Sequence, residues 1–477
     1  NGKMAATRLE AIERDKTNQA IIEKEQMLAS RCRAFNYSPY ILHLNFLHDC
    51  GLFRAYPELA GIGDGALTGR YFAHKEGNQH RAPCASQPVL VDILTEWMES
   101  IAEQDGLDIS CWLSERPGQC GCADCTATGQ FALEARAFVQ AWRRARQNFP
   151  KLEIRLFLST TTRDWRVLTE TPPEIKIERA CAMGLERVAH KPRDLFANPL
   201  YDRCAEEGRW IASYDAPIGV NGDVDTPEFK IPERSAQRIR DYVGQLHRRA
   251  YQGAYGMIAW GTFAREINGF NIAALAEWSW NSNGRDTREF AAAWATREGF
   301  ADPERVADWS ELLGPIAFDV FDSDFPVCYS QDQAIEIVRQ RQRPYLGEGM
   351  FRYYHTPEAF DEKKAACTQA LDLAHDLPAD FALETTVVQT YIDLAHRIWQ
   401  VAELLATSVL NNPEDQTRMR EYLAWLRLAG VANIEAIRAW RGHLGPEPWH
   451  SRVHDALKGS ERTVGEICRF VEERYLF

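Results

Sequence analysis

Leu107-Asp-Ile-Ser-Cys-Trp-Leu-Ser-Glu-Arg-Pro-Gly-Gln-Cys-Gly-Cys-Ala-Asp-Cys125 is the stretch on which the reading of the whole chain turns. Ile109, Cys111 and Leu113 alternate with Ser110, Trp112 and Ser114 over the length of a buried strand, and Pro117 and Gly118 stop it. Glu115 therefore stands where a strand gives way to a loop. In parallel sheets and barrels that C-terminal edge is where chemistry is placed.

The segments on either side repeat one rhythm. Residues 88–104 predict an amphipathic helix with Val89, Ile93, Leu94, Trp97, Met98 and Ile101 on its apolar face, feeding the strand at 107. Downstream come helix 130–148, strands 153–159 and 174–181, helix 194–207, strand 209–215, helix 232–251, and strands 254–261 and 271–278. Upstream, 4–32 reads as a helix without Gly or Pro, 40–46 as a strand, and 48–83 as a long Gly-rich connection. A short first strand is expected upstream of that helix or within 66–73. Seven or eight strands alternating with helices over about 240 residues imply parallel pairing and match a (β/α)8 TIM barrel.

After residue 350 the pattern changes to four apolar-periodic segments, 357–377, 382–410, 413–442 and 449–475. Turns such as Asn411-Asn412-Pro413 and Gly445-Pro446 join them. This predicts two domains: a catalytic (β/α)8 barrel over 1–345 and an all-α helical bundle over 346–477 that buttresses it. A chain of 477 residues is long enough to bury both cores.

Net charge is −13 and no long Lys/Arg block occurs, so neither nucleic acid nor an acidic membrane surface is an expected partner. No run of eighteen apolar residues is present. The opening Asn-Gly-Lys-Met lacks a signal-peptide core, so any export signal is expected to have been removed already. Periplasmic or extracellular placement is favoured over cytoplasmic; the twelve cysteines do not settle it, and self-association into a homo-oligomer stays open. Neither a dinucleotide-binding glycine motif nor a P-loop follows a strand, and the His-Glu-x-x-His and Gly-x-Ser-x-Gly signatures are missing.

Three expected strand ends finish in an acid: Glu115, Asp215 and Glu277. Paired carboxylates on one barrel face suit glycosidic-bond cleavage, one protonating the leaving oxygen and one stabilising or attacking the sugar centre. Salt bridging or capping is the plainer alternative for each. Tyr214, Trp260 and Trp280 accompany them and offer flat faces to sugar C–H groups, or ordinary core packing. His43 and Asn45 share a face of the 40–46 strand and point into the barrel mouth or a satisfied core.

Cys120, Cys122 and Cys125 put three thiols in six residues, and Cys84 is the candidate fourth. Such a set suits a closed structural Zn²⁺ site or part of an iron–sulfur cluster, with disulfide or free thiols as alternatives. Catalysis itself calls for no cofactor.

Cys84-Ala-Ser-Gln-Pro88 ahead of a helix, a strand ending in an acid, Cys-x-Cys-x2-Cys, and Ala276-Glu-Trp-Ser-Trp-Asn281 occur here in an order that resembles an uncharacterised barrel group near the alpha-glucuronidases. That group lies within the wider hexosaminidase and glucuronidase clan of glycoside hydrolases. The resemblance spans about residues 35–300, with the cysteine motif its most specific part. It implies a (β/α)8 glycoside hydrolase acting on an N-acetylhexosaminide or a uronide, with Glu115 in the general-acid position. Asp215, ranked ahead of Glu277, would be the second carboxylate, and Asn281 a substrate contact. Ser114 stands where family-20 hexosaminidases carry the Asp that supports neighbouring-group attack. A non-catalytic carbohydrate-binding barrel is the second reading, and a redox or metal-dependent enzyme using the cysteines the third.

Overall fold

Period-two runs rich in Ile, Leu and Phe become the strands of one parallel sheet. The computed structural model describes residues 40–44, 52–69, 79–104, 106–114, 119–158, 162, 165–180, 199–214, 232–254, 264–323, 328–444 and 452–476. Within them lie β1 (Tyr40–His43), β2 (Leu67–Gly69), β3 (Gln79–Arg81), β4 (Asp108–Trp112), β5 (Glu153–Leu158), β6 (Lys176–Ala180), β7 (Ile211–Tyr214) and β8 (Gly253–Ala254). The main sheet has the order β1-β4-β5-β6-β7-β8, and its pairs from β1 to β7 are parallel. The expected helix 4–32 lies outside the described residues.

Of the expected 66–73 segment, the described residues 66–69 do not supply a strand of this sheet. β2 pairs instead with β3 as a separate antiparallel ribbon. Only residues 70–78 connect the two, fewer than the dozen or so that a parallel crossover needs, so the local antiparallel pairing wins.

Helices α1 (Pro88–Ala102), α2 (Ala123–Thr128), α3 (Gln130–Asn148), α4 (Arg166–Glu170) and α5 (Pro199–Glu206) accompany the strands, and a helix stands in sequence between each successive pair from β4 to β7. Register separates the two faces of the sheet. Cys111, Leu156, Ile177 and Ile211 stand level with one another, and with Ile109 and Ile154 they make one apolar, buried face. Each such side chain contributes about 2 kcal/mol by leaving water.

The opposite face carries polar groups, of which Ser110, Arg155 and Glu178 are buried and Asp108 is half-buried. There Arg155 donates to Asp108 Oδ1 at 2.9 Å and to Glu178 Oε1 at 3.2 Å, Ser110 Oγ donates to Glu178 Oε2 at 2.6 Å, and Trp112 Nε1 donates to Ser110 Oγ at 3.0 Å. Buried charges persist only when paired in this way. Burial first, then Glu178 and Asp108, pushes the Cys111 thiol well up.

The chain divides into two compact units, the first containing β1–β7 with α1–α5. The second is helical: α6 (Ala236–Arg248), α7 (Ala264–Trp280), α8 (Thr287–Glu298), α9 (Pro303–Asp322), α10 (Cys328–Arg339), α11 (Glu358–Ala374), α12 (Ala379–Thr407), α13 (Pro413–Leu444) and α14 (Arg452–Tyr475). The four helices expected after residue 350 correspond to α11–α14. Asp286 and Glu289 form a reciprocal capping box at the start of α8, which Gly299 ends at φ 81°. Where α13 meets α14, a Cβ on Gly430 would lie 2.8 Å from Val464 Cγ2, so any side chain there would force Val464 to shift.

Residues 271–278 are not a strand but part of α7. Phe270, Asn271, Ala274 and Trp278 are its buried positions, a spacing of three to four that defines a helix face, and the Ala-rich run favours helix intrinsically. Asn271 fixes the helix to the segment before α6, donating to Glu233 O at 2.7 Å and accepting from Ser235 N at 3.2 Å. No helix among the described residues is long and apolar enough to cross a membrane.

Candidate functional site

Three chain segments meet beyond the end of β4. Residues 59–66, 82–87 and 119–125 are tied by main-chain bonds: Cys84 N to Leu59 O at 2.7 Å, Gly61 N to Ala82 O at 2.9 Å, Gly121 N to Ile62 O at 2.7 Å and Gln119 N to Gly65 O at 2.7 Å. A Cβ on Gly61 would meet Ala82 O at 2.5 Å and Cys120 Cβ at 3.2 Å, so only glycine lets the strands of this knuckle close.

The knuckle converges on sulfur. Cys84, Cys120, Cys122 and Cys125 place their ligand atoms within 4.8 Å of one another, and all four thiols are unbridged. Cys84 Sγ lies 3.7 Å from Cys122 Sγ and 3.9 Å from Cys125 Sγ. A tetrahedral ion with metal–sulfur bonds of ~2.3 Å would hold its sulfurs about 3.8 Å apart, so the set could hold a structural metal with little movement.

Donors already face the sulfurs, as bound thiolates require. Ile62 N donates to Cys120 Sγ at 3.4 Å, Cys125 N donates to Cys122 Sγ at 3.4 Å, and Gln87 Nε2 donates to Cys84 Sγ at 3.8 Å. The hydroxyl of Ser86, 3.4 Å from Cys122 Sγ, is the main cause that lowers that thiol to about 6. Burial instead pushes Cys120 and Cys125 up. All four positions are occupied by protein sulfur, which gives the set the form of a closed structural centre.

A second polar group lies beside the knuckle. Ser114 donates its main-chain N–H to Glu134 Oε2 at 2.9 Å and its hydroxyl to Glu134 Oε1 at 2.5 Å. Gln130 Nε2 donates to Glu134 Oε1 at 2.7 Å and to Pro83 O at 2.8 Å. Glu134 is 0 %, Gln130 1 % and Ser114 2 % exposed. Burial holds the Glu134 carboxyl above its usual range despite these three donors.

Sequence reasoning did not single out Gln130, Glu134, Arg155 or Glu178. The signal for the first two was partial: positions 130, 134, 138, 141 and 145 recur at helical spacing among the buried residues of α3, so two of its polar residues share a face with Phe138, Ala141 and Ala145. Arg155 and Glu178 gave no such signal, because alternating charges on a strand also describe a solvated face.

Other expected site residues fall as follows. Glu115, Asp215, Asn45 and Trp260 lie outside the described residues, as do the side chains of His43 and Tyr214 at the ends of β1 and β7. Glu277 does not end a strand; it sits in the last turn of α7, half-buried, with Arg285 Nη1 at 3.1 and 3.2 Å from its oxygens. Trp278 is buried and donates to Arg285 O at 3.1 Å, whereas Trp280 is 94 % exposed at the helix end, followed by exposed Asn281.

No family model matches the chain, and no curated protein matches it in sequence. Among solved structures its fold is similar to that of a GH138 enzyme targeting pectin rhamnogalacturonan II. The TM-score is 0.51 at 10 % identity, covering 73 % of this chain and 47 % of that one, so the chain spans about half the length of that enzyme. A mutant form of the Thermobaculum terrenum O-GlcNAc hydrolase aligns over 81 % of this chain and 76 % of its own, at TM-score 0.38 and 11 % identity. At such identities the first likeness is one of fold, and the second carries no argument.

Proposed function

We propose that the protein is a glycoside hydrolase whose parallel sheet belongs to a (β/α)8 barrel, with Glu115 as general acid and Asp215 as the second carboxylate. What supports this reading above all is the end of β4, where the residue preceding Glu115 is locked by two hydrogen bonds to a buried carboxylate at the C-terminal edge of a parallel sheet. Asp215 follows β7 of the same sheet directly in sequence. The likeness in fold to a glycoside hydrolase agrees with it.

In this reading Glu115 gives its proton to the glycosidic oxygen as the bond to the anomeric carbon breaks. Asp215, ionised, either attacks that carbon or removes a proton from the incoming water. His43, Asn45, Tyr214 and Trp260 follow or end strands of the sheet in sequence and would orient the sugar. Glu277 and Trp280, in the last turn of α7, lose the strand-end argument that first recommended them, and Asn281, given by the resemblance alone, follows that helix. The four cysteines would hold a structural metal such as Zn²⁺, which would brace the loops and supply no step of the reaction.

The test is hydrolysis of a panel of nitrophenyl glycosides that includes N-acetylhexosaminides and uronides. The expected result is turnover of at least one by the wild type, and a loss of about a thousandfold in Glu115→Gln with an unchanged melting temperature. Full activity in that variant removes the assignment, and binding without hydrolysis across the panel leaves a carbohydrate-binding protein.

A further inference from the structure

We propose that Gln130 and Glu134 form a buried relay through which metal held by the four cysteines fixes the main chain at the end of β4. The relay is continuous. Its first member, Pro83 O, belongs to the residue next to Cys84; Gln130 Nε2 bonds that oxygen and Glu134 Oε1 together; and Glu134 holds both donors of Ser114. Its other side is anchored to the same sulfurs, because Cys125 lies in α2 and only Gly129 separates α2 from Gln130 at the start of α3.

The chemistry makes the link directional. An amide NH2 has two hydrogens, and Gln130 spends one on each neighbour, so moving Pro83 moves Gln130 or breaks a bond. Glu134 accepts three donors on two oxygens where water does not reach, so no solvent molecule substitutes when one donor shifts. Without metal, four thiols crowded within 4.8 Å have no common partner, and the 82–87 and 119–125 segments are left with the Ser86–Cys122 contact and their separate main-chain bonds to 59–66. The displacement then passes to Ser114, the residue before Glu115.

Gln130 and Glu134 are positioning residues. Their consequence for turnover rests on the glycosidase reading, whereas the coupling itself does not. The measurement is therefore amide hydrogen exchange at Ser114, with no substrate present, on protein loaded with Zn²⁺ and then stripped by a chelator. In the wild type, stripping should speed exchange of that amide about tenfold, the loss of one hydrogen bond to a buried carboxylate. In Glu134→Gln the charged carboxylate becomes a neutral amide with a single acceptor oxygen, so the Ser114 amide is held less firmly and its exchange should be faster than in the wild type with Zn²⁺ still bound.

Gln130→Met removes the bonds to Pro83 and to Glu134 Oε1 but leaves both Ser114 donors on Glu134, and it protects the test if Glu134→Gln fails to fold. It should bind Zn²⁺ stoichiometrically while its Ser114 exchange no longer responds to the chelator. A wild-type Ser114 amide indifferent to Zn²⁺, or a Gln130→Met variant that responds like the wild type, overturns the proposal. Loss of activity in Glu115→Gln with either outcome speaks only to the glycosidase reading, so the two failures are distinguishable.

Discussion

Around Cys84 three chain segments meet on four sulfurs and a handful of main-chain hydrogen bonds, and Gln119, Gly121, Ala123 and Asp124 are left exposed. Around α12 the opposite holds: Phe381, Val387, Val388, Tyr391, Ile392, Leu394, Ile398, Val401 and Leu405 are all buried. The knuckle buries few large apolar side chains, Leu59 among them, and its four sulfurs converge on one point. The helix is held by many small contributions of about 2 kcal/mol per side chain, no one of which is decisive. The expected consequence is that single changes act sharply and locally in the first region and by degrees in the second.

Cys120→Ser or Cys125→Ser should break this contrast most severely. Structural zinc sites contribute on the order of 10 kcal/mol of apparent binding energy, so losing one of four ligands should release the ion or weaken it by orders of magnitude. Exchange and proteolysis should rise across 57–66 and 82–87, while amides in the middle of α12 keep their protection. Equal loosening of both regions would erase the distinction.

A smaller effect is expected where the helical unit does contain a single critical group. Arg234, almost wholly buried, donates to Asp380 Oδ2 at 2.6 Å and to Glu384 Oε1 at 2.8 Å, over the ring of Phe381. Burial pushes Glu384 up to about 7, and the guanidinium beside it draws the carboxyl back toward its ionised form. Arg234→Met leaves both carboxylates without their cation and should cost about 3–5 kcal/mol by urea unfolding. Adding Glu384→Gln should restore part of that loss. A cost below about 1 kcal/mol would mean that apolar burial alone carries the unit.

The smallest effect is a pH dependence in the same unit. His396 stacks on Phe360 at 4.6 Å between rings, with Lys364 Nζ 3.3 Å and Asp361 Oδ1 3.8 Å from Nδ1 and the charges of Asp393 and Arg397 nearby. Burial first, then Lys364, lowers its imidazole from 6.5 to about 4. Between those values the unfolded chain binds the proton and the folded chain does not. The stability is therefore complete above pH 6.5 and is lost as pH falls toward 4, by up to ~3 kcal/mol. His396→Gln should flatten that slope in a series of denaturant curves, and an unchanged slope would assign it elsewhere.

Legibility in the sequence follows the range of the forces. Helix 130–148 and the strand at 153 were readable almost to the residue, since periodicity and intrinsic preference act over a few positions. The 271–278 segment misled because a short Ala-rich apolar run fits either period, and packing of Phe270 against Phe290 and Trp294 decides for the helix. Cys84 could be matched to the later cysteines because it precedes the helix that leads into their strand, which sets the two loops at neighbouring positions. Glu134 could not be matched to Ser114, because helix periodicity can mark a core position but does not name the partner that meets it there.

Residues 107–125 were thus enough to place a strand, an acid after it and a set of soft ligands, all properties of local pattern and side-chain chemistry. That the four sulfurs close on one point, that Gln130 and Glu134 join that point to Ser114, and that Arg234 meets Glu384 across 150 positions of chain are decided only in three dimensions. A buried polar group takes whichever partner the fold brings within about 3 Å, and nothing in its neighbours along the chain encodes which one that is.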